Sequence, residues 1–288
     1  MQLMPSQREI EQAFQAFSNE AFRRADELAT ARAMASREWE LRGAALAIQT
    51  DESPEIAISG PAGTGKSLGT LVKFNREAWE YAGSRMLIVR KVRADLAFSA
   101  LVTLEKFILG EDNPICTNVR REYRRVYHYP NGSEVVIAGM DRPTAVMSSE
   151  WDKIYVQEGV ELSEDEFEAL TTRLRSGVIP YQQIIMDMNP DVPHHWILQR
   201  RDRGALKFYE SRHEDNPAYW DGEGWTPEGE RYVLGTLERL TGVRYQRLRL
   251  GKWVVAEGAI YEDWNAATHV MSYERLLEMG VFLREKAS

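Results

Sequence analysis

Between residues 55 and 209, short apolar runs alternate with stretches of helical spacing, a rhythm that predicts a layered α/β domain. Glu55–Ser59 reads as a short buried strand and Met86–Val89 as a second, followed by a helix through Ala94 to Leu109. Tyr123–Tyr129 and Glu134–Gly139 flank Pro130-Asn131-Gly132-Ser133, and Asn-Gly between two such runs signals a hairpin. Lys153–Val156 and Gln183–Met186 read as two further core strands, so an antiparallel hairpin joins a mainly parallel sheet. Upstream, residues 6–49 have helical composition, with Phe14, Phe17, Ala21, Phe22, Ala25 and Leu28 forming an apolar stripe suited to packing. Near Glu210 the composition shifts to loop-like Glu214–Pro217 and Trp220–Gly229, then to helical Glu230–Leu240 and Val243–Leu250. The expected organisation is a helical segment (1–50), an α/β core (51–210), a small appended subdomain (211–257) and a connector (258–288).

Composition narrows the class. With 43% hydrophobic and 28% charged residues, the 288-residue chain is that of an ordinary globular protein. No apolar run is long enough to span a bilayer, and the N-terminus has no signal-peptide core, so neither membrane nor export is expected. Cys116 is the only cysteine, which excludes an intrachain disulfide and a cysteine-built zinc site and fits a cytoplasmic setting. A net charge of −8 argues against coating nucleic acid with the whole surface, but leaves room for a local basic channel.

The chemistry is concentrated after the first strand. Gly60-Pro61-Ala62-Gly63-Thr64-Gly65-Lys66-Ser67 fits G-x-x-x-x-G-K-[ST] at every constrained position. Glycines let the backbone turn so that successive N–H groups face phosphate oxygens. Lys66 suits the β- and γ-phosphates, and the Ser67 hydroxyl suits Mg²⁺. The helix that follows presents its N-terminus to the anion. The motif therefore predicts a chain that binds ATP or GTP.

A carboxylate at a strand end would complete a hydrolytic site. Glu158 stands just past Ile154-Tyr155-Val156-Gln157 and suits a general base toward water. A solvated loop carboxylate is the plainer alternative, given neighbouring Glu161, Glu164, Asp165 and Glu166. The place of the usual magnesium-associated Asp is taken by Gln157, which can orient a metal-bound water but supplies no charge. Asn189, supported by Asp187, ends the next strand and suits sensing of the γ-phosphate, though Asn-Pro also favours a turn. Arg142, Arg173 and Arg175 are candidates for an arginine finger, in cis or in trans. Arg120, Arg121, Arg124 and Arg125 form a dense basic cluster suited to nucleic-acid phosphates, with a solvated strand face as the alternative.

Taken together, these residues resemble the ATPase part of large terminase subunits, the motors that package DNA into tailed-phage capsids. The likeness covers residues 40–270. It is carried by Arg42-Gly43, the GPAGTGKS loop at 60–67, Ile88–Arg93, Ile154–Glu158, Thr172–Arg175, the NPDVPHHW run at 189–196, Leu240–Leu248 and the GKWVVAEGAIY run at 251–261. The resemblance implies an ASCE-type P-loop ATPase fold, a mainly parallel sheet flanked by helices with a C-terminal lid subdomain. It also implies Mg²⁺-ATP as substrate, Glu158 as catalytic glutamate, Asn189 in the coupling motif and Arg42 near the adenine. The implied partners are double-stranded DNA, the portal protein, the small terminase subunit and further copies in a ring, a pentamer. The implied location is the cytoplasm of an infected bacterium and the procapsid portal vertex. Full-length members carry a C-terminal nuclease; with the chain stopping at Ser288, no nuclease activity is expected. Two other readings stay open: another ASCE motor of helicase or recombination type, and a slow-turnover, ATP-dependent assembly module.

Overall fold

Seven strands form one sheet in the order β3-β4-β2-β5-β6-β1-β7. They are β1 (Glu55–Ser59), β2 (Arg85–Arg90), β3 (Val126–His128), β4 (Glu134–Gly139), β5 (Lys153–Gln157), β6 (Gln183–Met188) and β7 (Lys207–Glu210). The computed structural model describes residues 38–116, 119–255 and 271–278, together with Ala29. All neighbouring strands are parallel except the β3–β4 hairpin. Strands buried on both faces favour apolar side chains in succession, and β5 and β6, buried at every position, carry apolar centres with buried polar residues toward their ends.

The pleat divides these side chains between two cores. On one face, Ile56, Ile58, Met86, Ile88, Tyr155 and Ile185 pack beneath α1 (Gly43–Ala47) and α2 (Lys66–Glu80), whose Ala44, Leu71, Phe74 and Ala78 join the same cluster. On the other, Ala57, Leu87, Val89, Ile154, Val156, Ile184 and Met186 meet Phe167, Leu170 and Ile197 of α3 (Glu164–Thr171) and α4 (Trp196–Asp202). A reciprocal capping box between Ser163 and Glu166 starts α3.

Three elements differ from the sequence expectation. The helix expected over Ala94–Leu109 is broken into Arg93–Leu96, Ala100–Val102 and a wider π-helical turn, Thr103–Leu109. At the break, Ser99 Oγ bonds back to the Asp95 carbonyl and across to Gln157. β3 is shorter than Tyr123–Tyr129, because Arg121–Tyr123 forms a 3₁₀ turn and the Arg124 side chain is drawn inward. β7 extends the sheet beyond β1; its exposed Lys207 and Glu210 mask it as a strand in the sequence.

The Phe14–Leu28 stripe and most of the 258–288 connector lie outside the described residues, apart from a helix at Tyr273–Glu278. Among the described residues no helix is long and apolar enough to cross a membrane.

Candidate functional site

The site is assembled where β1, β5 and β6 end. β1 stops at Ser59, the chain loops through Gly60–Gly65, and α2 begins at Lys66. Gly63 and Gly65 adopt φ of 80° and 85°, a left-handed conformation that strains any residue with a Cβ. Lys66 is buried and folded back onto its own loop. Its Nζ donates to the carbonyls of Gly60 (3.0 Å) and Pro61 (2.6 Å) and to Asn189 Oδ1 (3.2 Å). Burial lowers its pKa to about 8, against the opposing pull of Asp187 and Glu158. These contacts are of the kind a phosphate can replace.

β6 lies between β1 and β5, so its tip adjoins the loop that follows β1. Asp187, 2% exposed, accepts through Oδ2 from Ser67 Oγ (2.5 Å) and Tyr155 OH (2.8 Å), and through Oδ1 from the Glu158 backbone N–H (3.3 Å). Burial raises its pKa, while the bonds from Ser67 and Tyr155 and the charge of Lys66 oppose that. Gln157 does not take up the metal-facing place expected of it. Its Oε1 accepts from Ser99 Oγ at 2.6 Å, because β5 is one strand further from the loop and its tip abuts the helix break.

Glu158 has φ 54°, the only left-handed non-glycine among the described residues. Such strain persists only where the surroundings impose it, and it clusters at functional sites. Burial first, then the neighbouring Asp187 charge, pushes the Glu158 carboxyl up to about 7, with Lys66 and Arg90 opposing. A base poised there is well matched to proton transfer near neutral pH.

Beside the loop opens a cavity of about 620 Å³, walled by Gly63–Leu68 and by Trp39, Phe107, Asn216 and Tyr219. Its aromatic walls suit a base, and sequence reasoning missed them because Trp39 and Tyr219 belong to no motif. Arg42 does not itself line the cavity, but its guanidinium donates to Glu40, which does, and to the Trp220 carbonyl (2.7 Å).

The segment after β7 also grips the loop. Thr64 Oγ1 and Ser211 Oγ are 2.6 Å apart, Asn216 Nδ2 donates to the Gly63 carbonyl (2.6 Å), and the Ala62 N–H donates to the Leu248 carbonyl (3.1 Å). Buried His213 lies 3.0 Å through Nε2 from the Ala62 carbonyl; burial depresses its pKa to about 4, so it is neutral and donates.

The four-arginine cluster does not form one basic face. Arg124 is 4% exposed and turned inward, donating to Glu105 (3.1 Å) and to the Ile115 carbonyl (3.2 Å). Arg121 pairs with Glu105 (2.7 Å) and Glu111 (3.2 Å). The expectation that Arg124 meets DNA is therefore corrected: a guanidinium this buried cannot reach a phosphate outside. Arg120 and Arg125 are exposed. Arg125 lines a second cleft of about 620 Å³ with Arg85, Arg93 and Arg142, which shares no wall with the cavity beside Gly63–Leu68. Arg142, exposed on the turn after β4, thus stands apart from the cavity beside Gly63–Leu68. Arg175 pairs with Glu150 (2.9 Å), and Arg173 donates to the Met147 carbonyl (3.0 Å).

Comparison with solved structures returns the same fold. The large terminase of a thermophilic bacteriophage superposes with a TM-score of 0.58 at 18% identity, over 80% of this chain and 57% of that one. The complex of that terminase with ADP gives 0.57, at 18% identity, over 79% and 57%. The large terminase ATPase domain of a Thermus phage gives 0.55 at 15% identity, over 77% of this chain and 96% of that domain. The chain thus spans a little over half the length of the thermophilic phage's terminase. No curated protein matches the sequence. The family model described as phage terminase large subunit matches residues 53–223, more than half of the 288 residues. With that match, and the fold of the terminase ATPase domains, the chain belongs to the phage terminase large subunit family.

Proposed function

We propose that this chain is the ATP-hydrolysing part of a motor that moves double-stranded viral DNA into a preformed capsid. The observation that carries the reading is the convergence of Lys66, Ser67, Asp187, Asn189 and Glu158 at the ends of three adjacent strands. On this reading Lys66 leaves the Gly60 and Pro61 carbonyls for the β- and γ-phosphates, and the loop N–H groups hold the remaining oxygens. Glu158 takes the proton of the attacking water, and Asn189, which holds Lys66 before nucleotide arrives, reports the state of the γ-phosphate. The base rests against Trp39 and Tyr219. Mg²⁺ fits the site, since the Ser67 hydroxyl and a buried carboxylate are the hard oxygen donors it prefers, and when bound it neutralises charge on the β- and γ-phosphates.

The boundaries 51–210 for the core and 211–257 for the lid belong to the same proposal. The bonds from Ser211, His213, Asn216 and Leu248 to the loop give a lid a direct way to feel phosphate loss. Arg142, remote from its own nucleotide cavity, is assigned to a neighbour's site in a ring, and Arg120 and Arg125 to DNA phosphates. The expected partners are DNA, the portal protein, the small subunit and further copies of this chain, within an infected bacterium.

ATP turnover measured with and without DNA and portal-bearing procapsids tests the reading. Stimulation that requires both is expected. Duplex unwinding with no need of a procapsid would favour a helicase-type motor, and binding without turnover an assembly module.

A further inference from the structure

We infer that Asp187, at the tip of β6, is the magnesium-holding carboxylate of this site, in the place that Gln157 leaves uncharged. The inference rests on the ATPase reading. It starts from a deficit: the residue before Glu158 is an amide, and the structure turns that amide away, with Gln157 Oε1 accepting from Ser99 Oγ at 2.6 Å. The residue paired with Gln157 in the sheet is Asp187, on the strand next to β1. Alternation along β6 puts Asp187 on the same face as Ile185, the face covered by α2, and α2 begins at Lys66 and Ser67. The carboxylate therefore arrives beside the one hydroxyl that the phosphate-loop motif assigns to Mg²⁺.

The bonding there has a direction. Ser67 Oγ–H donates to Asp187 Oδ2 at 2.5 Å, so the serine oxygen keeps its lone pairs for the cavity that Ser67 itself lines. Tyr155 OH and the Glu158 N–H hold the same carboxylate in place, so it is already oriented before a ligand arrives. A buried carboxylate with Lys66 as its near cation is costly unless more positive charge comes. Lys66 itself is expected to turn toward phosphate, which would leave Asp187 without that cation. A nucleotide-bound Mg²⁺ needs only one or two protein ligands beyond phosphate and water. Asp187 would act by fixing Ser67 and by accepting from a metal-bound water.

The test uses Mn²⁺ in place of Mg²⁺ and reads retained metal by electron paramagnetic resonance, with the full chain and a non-hydrolysable ATP analogue. Nucleotide affinity in EDTA is measured alongside. Asp187→Asn should weaken Mn²⁺ retention by about tenfold or more while metal-free nucleotide affinity stays near that of the parent. Gln157→Ala should leave Mn²⁺ retention unchanged. Asp187→Glu, which keeps the charge, should hold Mn²⁺ better than Asp187→Asn. If Asp187→Asn does not fold, Asp187→Glu against Asp187→Gln supplies the same contrast. Parental Mn²⁺ retention in the neutral variant, or equal loss in the charged and neutral ones, would overturn the assignment and leave Asp187 as a structural latch. A parent chain that binds no nucleotide would instead overturn the ATPase reading beneath it.

Discussion

The strand ends proposed to form the nucleotide site and the arginine-rich edge around β3 are both dense in charge, but they are wired differently. At the strand ends, Lys66 is held by two carbonyls and the Thr64 hydroxyl of its own loop and by one amide oxygen, contacts that an incoming phosphate can replace. At the edge, Arg124 and Arg121 share Glu105, and Arg124 also holds three carbonyls of the 115–119 segment. Displacing that guanidinium would leave buried Glu105 with only Arg121 and the Tyr127 hydroxyl, and three carbonyls without their donor. A run of basic residues is thus poor evidence for a binding surface. Better evidence is a set of groups, brought together from different strands, whose present partners are exchangeable.

The sharpest way to break the contrast is at Glu158. Glu158→Gln keeps the shape and removes the base, so single-turnover ATP hydrolysis should fall by about 10²–10⁴-fold, with equilibrium nucleotide binding little changed. Lys66→Ala should instead weaken binding itself. Parental hydrolysis in Glu158→Gln would show that the strained carboxylate is not the base.

The edge should fail in stability rather than in binding. Arg124→Met leaves Glu105 without one of its two guanidinium partners, and urea denaturation should show a loss of about 3–5 kcal/mol. The salt dependence of DNA binding by the folded fraction should not move. A stable Arg124→Met protein with a flattened salt slope would reverse the assignment of the two regions.

A third test lies where the segment after β7 meets the 60–65 loop. His213 faces the Ala62 carbonyl, with Arg249 and Lys66 opposing its protonation and Glu214 favouring it. Its folded pKa, about 4, is below the ordinary 6.5, so the unfolded chain takes up the proton first. The stabilisation is complete above pH 6.5 and is lost as pH falls from there toward 4, by about 3 kcal/mol in all. His213→Gln should flatten that part of the stability profile; an unchanged profile would mean that other groups set it.

The smallest effect is expected at the exposed arginines. Arg120→Ala and Arg125→Ala should each reduce the salt slope of DNA binding by about one unit, equally for unrelated duplexes, if each meets one phosphate. An unchanged slope in the double variant would remove this edge from the DNA path and direct attention to Arg244, Arg247, Arg249 and Lys252.

Much of the fold was legible because its signals are local. A phosphate loop needs particular glycines, a lysine and a serine in fixed order, and buried parallel strands carry short apolar runs, so β1, β2, β5 and β6 and the loop between β1 and α2 could be read directly from the residues. Glu158 was legible for the same reason, since a carboxylate at a strand end is a one-dimensional pattern. Short β7 was not, because pairing with β1 rather than its own sequence makes it a strand. Nor was the break at Ser99, which depends on a partner 58 positions along the chain.

What the residues alone determined was the chemistry at the loop: a cradle for phosphate, a lysine, a serine and a candidate base. Which carboxylate stands beside Ser67 was decided by the strand order, because only the insertion of β6 between β1 and β5 brings Asp187 there and leaves Gln157 to Ser99. Which arginines remain exposed was decided by packing, because Glu105 reaches Arg121 and Arg124 across 16 and 19 positions from a neighbouring helical turn. Sequence patterns record what a residue can do. Its partners are set by distances that exist only once the chain has folded.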